Sequence, residues 1–303
     1  MPKVIIEAEN LEKQYMKQKV VKHADFTIEE GMICGLIGPN GAGKTTIMKM
    51  LGGLILPTDG TITIYGGSSD EELAKARERM SFIIETPYAK GKMTARQNLE
   101  KQRLQKGIPD KGRIDEVLEL VGLADAGKKC IEKFSLGMRQ RLGIAIALLS
   151  NPEIMVLDEP VNGLDPEGIV EIRELLLKLN KEEHITILIS SHILSELSLL
   201  CTDYIFIHDG EIKQQVSAEK LQKICKKYYH IHTNQDALAL TILEKELGIH
   251  DFDVEEDGSI RLFEMLDKQE IISKTLFEHG VIPIDLHIYE ANLEQYYMDM
   301  AGE

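Results

Sequence analysis

The sequence predicts an α/β fold in which a buried, parallel sheet presents polar groups at its strand ends, followed by a small α+β unit. Three stretches carry that expectation. The apolar run Met32-Ile33-Cys34-Gly35-Leu36-Ile37 leads into Gly38-Pro39-Asn40-Gly41-Ala42-Gly43-Lys44-Thr45-Thr46 and then into a helical Ile47-Met48-Lys49-Met50-Leu51. A second apolar strand, Ile154-Met155-Val156-Leu157, ends on Asp158-Glu159. A third, residues 185–189, ends on Ser190-Ser191-His192. Short apolar runs that stop on polar residues read as core strands opening at the carboxyl edge of a sheet, where α/β ligand sites form.

Taken in order, residues 4–8, 20–28 and 61–65 are β-branched or alternating and are cut by turns at Glu30-Gly31 and Asp59-Gly60. They predict an antiparallel sheet beside the glycine loop. Tyr15 falls in the connection between the first two of these strands, either as a half-exposed aromatic or as a platform on which adenine stacks. The loop itself is GxxxxGK[ST] in its meaningful context of strand, loop and helix. Its glycines let successive backbone N–H groups turn inward on a phosphate, and the helix N-terminus adds its positive end. Lys44 would reach the β- and γ-phosphates, and Thr45 would put its hydroxyl on Mg²⁺.

Residues 71–80 predict a charged helix, and 81–84 a short strand that ends at Glu85-Thr86-Pro87. Residues 93–149 read as mostly helical, with breaks at Gly107-Ile108-Pro109 and near Gly127. At the second strand end, Asp158 would hold Mg²⁺ and Glu159 would act as general base on the attacking water. His192, at the third, is either structural or a contact to the γ-phosphate. From Tyr228 onward the pattern is strand 228–233, helix 236–247, strands 252–255 and 259–263, helix 268–279, strand 282–288 and helix 293–300. The first six have the βαββαβ order of a ferredoxin-like module. His230 and His232 share a strand face there, as a metal pair or as solvated residues.

The chain has 303 residues with a net charge of −15, which argues against a nucleic-acid partner, since that surface needs clustered Lys and Arg. Cys34, Cys130, Cys201 and Cys225 are scattered without metal spacing and read as reduced, mostly buried thiols of a cytosolic protein. The N-terminus lacks the apolar core of a signal peptide, and the longest apolar run, residues 142–149, is too short to span a bilayer. Work at a membrane would require another chain to cross it.

Residues 3–215 resemble the ATP-binding-cassette (ABC) transporter ATPases. Besides the glycine loop and Asp158-Glu159, the stretch Phe134-Ser135-Leu136-Gly137-Met138-Arg139-Gln140-Arg141 is similar to the family's LSGGQ-x-R signature. Asn162-Gly163-Leu164-Asp165-Pro166 resembles its D-loop, and His192 stands where its switch histidine does. The resemblance implies a P-loop NTPase with a RecA-like core, an antiparallel β subdomain and a helical subdomain over 1–215, with 216–303 as an accessory domain. It implies ATP and Mg²⁺ as ligands, with Tyr15, the loop 38–46, Ser135, Gly137 and Asp165 around the nucleotide. It also implies a head-to-tail homodimer in which Ser135 and Gly137 of one subunit complete the site holding Lys44 of the other. An integral membrane permease would be the further partner, placing the chain at the cytoplasmic face of the membrane.

Two departures stand out. The signature reads FSLGM, keeping the serine and second glycine that meet phosphate. Glu85 replaces the family's usual glutamine, and Ile84-Glu85-Thr86-Pro87 resembles the branch that protects bacteria against lantibiotics and bacitracin. Glu85 is expected near the nucleotide and its metal. A GTPase would need an NKxD motif, and Asn180-Lys181-Glu182-Glu183 has the wrong fourth residue. A non-transport ABC ATPase on ribosome or DNA is the alternative. The DNA-repair type would need a long heptad insertion between Thr46 and Ser135, and the ribosomal type two cassettes in one chain.

Overall fold

A computed structural model of the chain describes residues 3–84, 89–126, 129–255, 257–289 and 293–301. The backbone divides into two compact units, Met1–Ala218 and Glu219–Glu303. The first unit runs β1 (Val4–Tyr15), β2 (Gln18–Glu29), β3 (Ile33–Ile37), α1 (Lys44–Leu51), β4 (Asp59–Ile64), α2 (Asp70–Glu78), β5 (Met80–Ile83), α3 (Ala95–Gln105), α4 (Arg113–Leu120), α5 (Leu136–Leu148), β6 (Ile154–Asp158), α6 (Pro166–Glu183), β7 (Thr186–Ser191), α7 (Leu194–Ser198), β8 (Asp203–His208) and β9 (Glu211–Ser217).

Two sheets organise it. One is antiparallel, in the order β2-β1-β4; the other has the order β5-β6-β7-β3-β8-β9 and is parallel except for the terminal β8–β9 pair. β3, β6 and β7 are buried at every residue, which is why their sequences show no polar alternation. Between the sheets α1 buries Ile47, Met48, Met50 and Leu51 against Ile6 and Leu11 of β1 and Val156 and Ile205 of the parallel sheet. The loop ahead of α1 is thereby anchored on two layers at once.

β1 extends further than its sequence suggests and carries Tyr15 as its last residue, not in a connection. Its register against β2 slips between Ala8 and Leu11 and again before Lys13, with Asn10 at φ 47, so the period-two pattern is broken although the strand continues. The helical region resolves into α3, α4, a short 3-10 turn at Ile131–Lys133, and α5. α3 starts on a reciprocal cap, Thr94 with Gln97, and ends before Gly107 at φ 67. The expected break at Gly127 lies outside the described residues. Asn180 lies in the last turns of α6, where its amide donates to the carbonyls of Gly31 and Ile185 at 2.8 and 2.9 Å, a structural use.

α8 (Ala218–Ile224) begins at the division and has no counterpart in the sequence reading. The second unit continues with β10 (Tyr228–Thr233), α9 (Asp236–Leu247), β11 (Phe252–Val254), β12 (Ile260–Leu262), α10 (Gln269–Glu278), β13 (Pro283–Tyr289) and α11 (Leu293–Ala301). Its sheet has the order β11-β12-β10-β13, with every pairing antiparallel. Tyr229, Ile231, Ile260 and Leu262 form a core with Ala239, Ile242 and Leu243 of α9 and Ile272 and Leu276 of α10. His230 is drawn to His287, ring centroids 5.3 Å apart, and His232 to Asp236 at 2.9 Å. Among the described residues no group of three or more His, Cys, Asp or Glu is arranged to hold a metal ion.

Cys34 and Cys201 are buried, while Cys130 and Cys225 are only half-buried. Burial pushes the Cys34 and Cys201 thiols well above their usual range, which keeps them protonated and unreactive. Among the described residues no helix is long and apolar enough to cross a membrane.

Candidate functional site

The phosphate loop is shaped by its glycines. Gly41 and Gly43 both take positive φ, 87° and 108°, separated by Ala42, whose N–H donates to the Pro39 carbonyl at 3.2 Å. Such alternation turns N–H groups to one side and makes a concave anion seat at the start of α1. Gly38 and Gly43 are also required by crowding. A Cβ on Gly38 would lie 2.2 Å from the Ile207 carbonyl oxygen of β8, and one on Gly43 2.9 Å from the Val20 carbonyl oxygen of β2. Val20 presses more closely on Gly210, where a Cβ would stand 2.4 Å from the same oxygen.

Lys44 is 5% exposed and its ammonium is held inward, donating to the carbonyls of Gly38 at 2.6 Å and Pro39 at 3.2 Å. It also lies 3.6 Å from Glu159 Oε1. Thr45 Oγ1 donates to Asp158 Oδ2 at 2.8 Å, and Ser190 Oγ donates to Asp158 Oδ1 at 2.6 Å. The Glu159 N–H donates to Ser190 Oγ and to the Ser190 carbonyl, at 3.0 and 3.2 Å. Glu159 sits at φ 50, an uncommon backbone for a non-glycine residue. That turn sends its carboxylate back over the loop, where Oε2 meets His192 Nδ1 at 2.7 Å. Oε1 is buried with no hydrogen-bond partner.

A cleft of about 190 Å³ results, lined by Val20, Pro39, Asn40, Gly41, Gly43, Lys44, Thr45, Thr46 and Glu159. A wider groove of about 820 Å³ runs along α6 and the end of α4, but it shares no residue with the loop. The small cleft is the chemically competent one: backbone donors, a buried cation and the Glu159 carboxylate line it, with Asp158 and His192 hydrogen-bonded to its Thr45 and Glu159. Its donor set suits Mg²⁺, since a carboxylate and a hydroxyl already share contact at Asp158 and Thr45 and both are hard oxygen ligands. The unsatisfied Glu159 Oε1 is an acceptor aimed at the same space.

Gly38, Pro39, Asn40, Gly41, Ala42, Gly43, Lys44, Thr45, Thr46, Asp158, Glu159 and His192 are thus brought together. Tyr15, Ser135, Gly137 and Asp165 do not line this cleft. Tyr15 is 46% exposed, with the Lys13 ammonium 5.1 Å from its ring centroid. Ser135 caps α5, its Oγ accepting from Met138 N–H at 3.2 Å, and Asp165 caps α6 by accepting from Gly168 N–H at 3.1 Å. Glu85 lies outside the described residues. Sequence reasoning missed Ser190, fully buried and joining Asp158 to Glu159; its only signal was its place at a strand end, one strand over from the carboxylates.

Comparison with known proteins agrees with this geometry. The family model described as ABC transporter matches residues 21–162. The bacitracin transport ATP-binding protein BcrA of Bacillus licheniformis is 43% identical over 98% of this chain and 97% of its own length. The lantibiotic transport ATP-binding protein SrtF of Streptococcus pyogenes is 41% identical over 73% of this chain and 95% of its own. Among solved structures, the dimeric post-hydrolysis state of the ATP-binding cassette MJ0796 with ADP and Pi is 27% identical, with a TM-score of 0.63 over 71% of this chain and 99% of that one. With a P-loop NTPase core, mixed sheets and a near full-length relative, the chain belongs to the ABC transporter family as an ATP-binding, ATP-hydrolysing subunit.

Proposed function

We propose that this ATPase drives the export of an antimicrobial peptide through a separate membrane permease. The observation that carries the proposal is the hydrogen-bonded series Thr45–Asp158–Ser190–Glu159–His192 beside a buried Lys44, in a chain similar to BcrA along nearly its whole length. Lys44 and the loop N–H groups bind the phosphates. Thr45 and Asp158 would hold Mg²⁺, which when bound would neutralise phosphate charge. Glu159 accepts the proton of the attacking water, and His192, already at its carboxylate, orients it toward the γ-phosphate. Tyr15 offers its ring to adenine. Glu85, which follows β5 in the sequence, is assigned to the metal and to coupling with the permease.

Two copies then work head-to-tail, with the α5 N-terminus of one, bearing Ser135 and Gly137, capping the γ-phosphate held by the other, and Asp165 contacting across the interface. The exposed placement of Ser135, away from the chain's own cleft, supports this sharing. Residues 1–215 form the nucleotide-binding domain. Residues 216–303 form an accessory domain read as ferredoxin-like, a reading supported by its βαββαβ order and antiparallel sheet. The complex lies at the cytoplasmic face of the membrane with no nucleic-acid partner, and no observation favours action on ribosome or DNA.

Glu159→Gln tests the assignment. The amide keeps shape and hydrogen bonding but accepts no proton, so kcat should fall about a hundredfold or more while ATP affinity is retained. Turnover near the wild-type rate would remove Glu159 from the role of base.

A further inference from the structure

β13 is an edge strand: β10 pairs with one side of it, and no described strand pairs with the other. Its register with β10 slips next to Pro283, two features that blunt an edge, but only at the strand's start. The rest, Ile284-Asp285-Leu286-His287-Ile288, is open. Ile284 is 65% exposed and Ile288 39%, on either side of the partly buried Leu286, while the side chains of Asp285 and His287 are 50% and 51% exposed. The Leu286 carbonyl accepts from the exposed Gln269 side chain at 3.3 Å, so this carbonyl faces the free side of the strand. An open edge with isoleucines on it is a template for another strand.

The sequence says which strand fits. The five residues read almost the same in both directions: Ile, Asp, Leu, His, Ile. In an antiparallel pair of two copies centred on Leu286, each Leu286 faces its twin and can exchange both backbone hydrogen bonds with it once the exposed Gln269 side chain gives up the Leu286 carbonyl. Ile284 of one copy then faces Ile288 of the other, so both exposed isoleucines are covered by apolar partners. Asp285 faces His287, and the reverse, giving opposite charges directly across when the imidazole is protonated. Asp285 already accepts from His287 Nδ1 at 2.8 Å within one chain, and that contact holds its carboxyl below the usual range. The pairing would place four such groups in an alternating Asp-His-Asp-His cluster. A foreign strand would have to supply that same mirror order to match both the charges and the apolar residues.

We infer that the β13 edge is a self-association surface, joining two copies of this chain through an antiparallel β13–β13 pair centred on Leu286. This contact is separate from any nucleotide-bridged dimer, since it uses no residue of the ATP cleft. Cysteine cross-linking of the full chain tests it, in a Lys44→Ala background without nucleotide. Asp285→Cys and His287→Cys are made separately, and each is oxidised alone and as a one-to-one mixture. Residues 285 and 287 face each other across the two-fold, whereas two copies of the same residue stand diagonally apart. A heterodimeric disulfide that rises severalfold on mixing supports the pairing and its register. Equal cross-linking in all three samples means another register or random encounter and overturns it, as does a sedimentation-equilibrium mass of a monomer at tens of micromolar for the parent chain. A second readout needs no cysteine: Asp285→Lys should weaken the dimer, and Asp285→Lys with His287→Asp should restore it. Restoration failing while the circular dichroism spectrum stays unchanged would also count against the proposal.

Discussion

At the scale of single residues the loop is governed by what its glycines must not carry. Gly38→Ala drives a Cβ into the Ile207 carbonyl at 2.2 Å, a backbone-to-backbone clash that no rotamer relieves. The variant should lose several kcal/mol, with ATP binding lost alongside, because loop and β8 must part. Gly41→Ala meets nothing within 4 Å and bears only the strain of φ 87, which costs about 1–2 kcal/mol. Thermal melts of the two variants with and without ATP would separate the cases: a Gly38→Ala protein as stable as Gly41→Ala would contradict the close approach. The loop residues and both carboxylates were legible because strand, glycine loop and helix form a local pattern with one physical use. Ser190 was not, because its partners Asp158 and Glu159 lie across a strand pairing, and no spacing along the chain encodes that contact.

Among elements, the short α7 depends on its neighbour. It follows His192, has no side-chain cap at Ile193, and is tied to α6 by Arg173 to Glu196 at 2.8 Å, both side chains largely shielded. Glu196→Ala should cost about 1 kcal/mol of stability and lower kcat severalfold with little change in ATP KM, as His192 loses its support. The exchange Arg173→Glu with Glu196→Arg should recover part of kcat; no recovery would confine the pair to a structural role. Element reading from sequence succeeded where period and punctuation agreed, as in β10 and α9, whose bounds of 228–233 and 236–247 match the structure. It failed where tertiary contacts overrode period. β1 continues past its slips because β2 and β4 pair along both sides of it. The β8–β9 hairpin drew no assignment from the sequence.

For the whole molecule, the head-to-tail dimer predicts complementation. Lys44→Ala and Ser135→Arg subunits, each inactive alone, should regain part of their ATPase activity when mixed, because one of the two composite sites in the heterodimer keeps both residues. Heterodimers that form yet stay inactive would refute shared sites. The order of the parallel sheet has another consequence, which concerns biosynthesis. β3, which carries the phosphate loop, lies between β7 and β8, so its neighbours are Thr186–Ser191 and Asp203–His208. A ribosome adding about 5–20 residues per second makes β3 roughly 10–30 s before it finishes β8. For most of that interval, until β7 is made, the strand has no partner on either side, and a nascent chain that stops short of Asp203 leaves the loop without the wall that Ile207 provides. The ATP-binding loop is thus made well before both of its neighbours can frame it, which makes this stretch of translation the period when a chaperone would matter most.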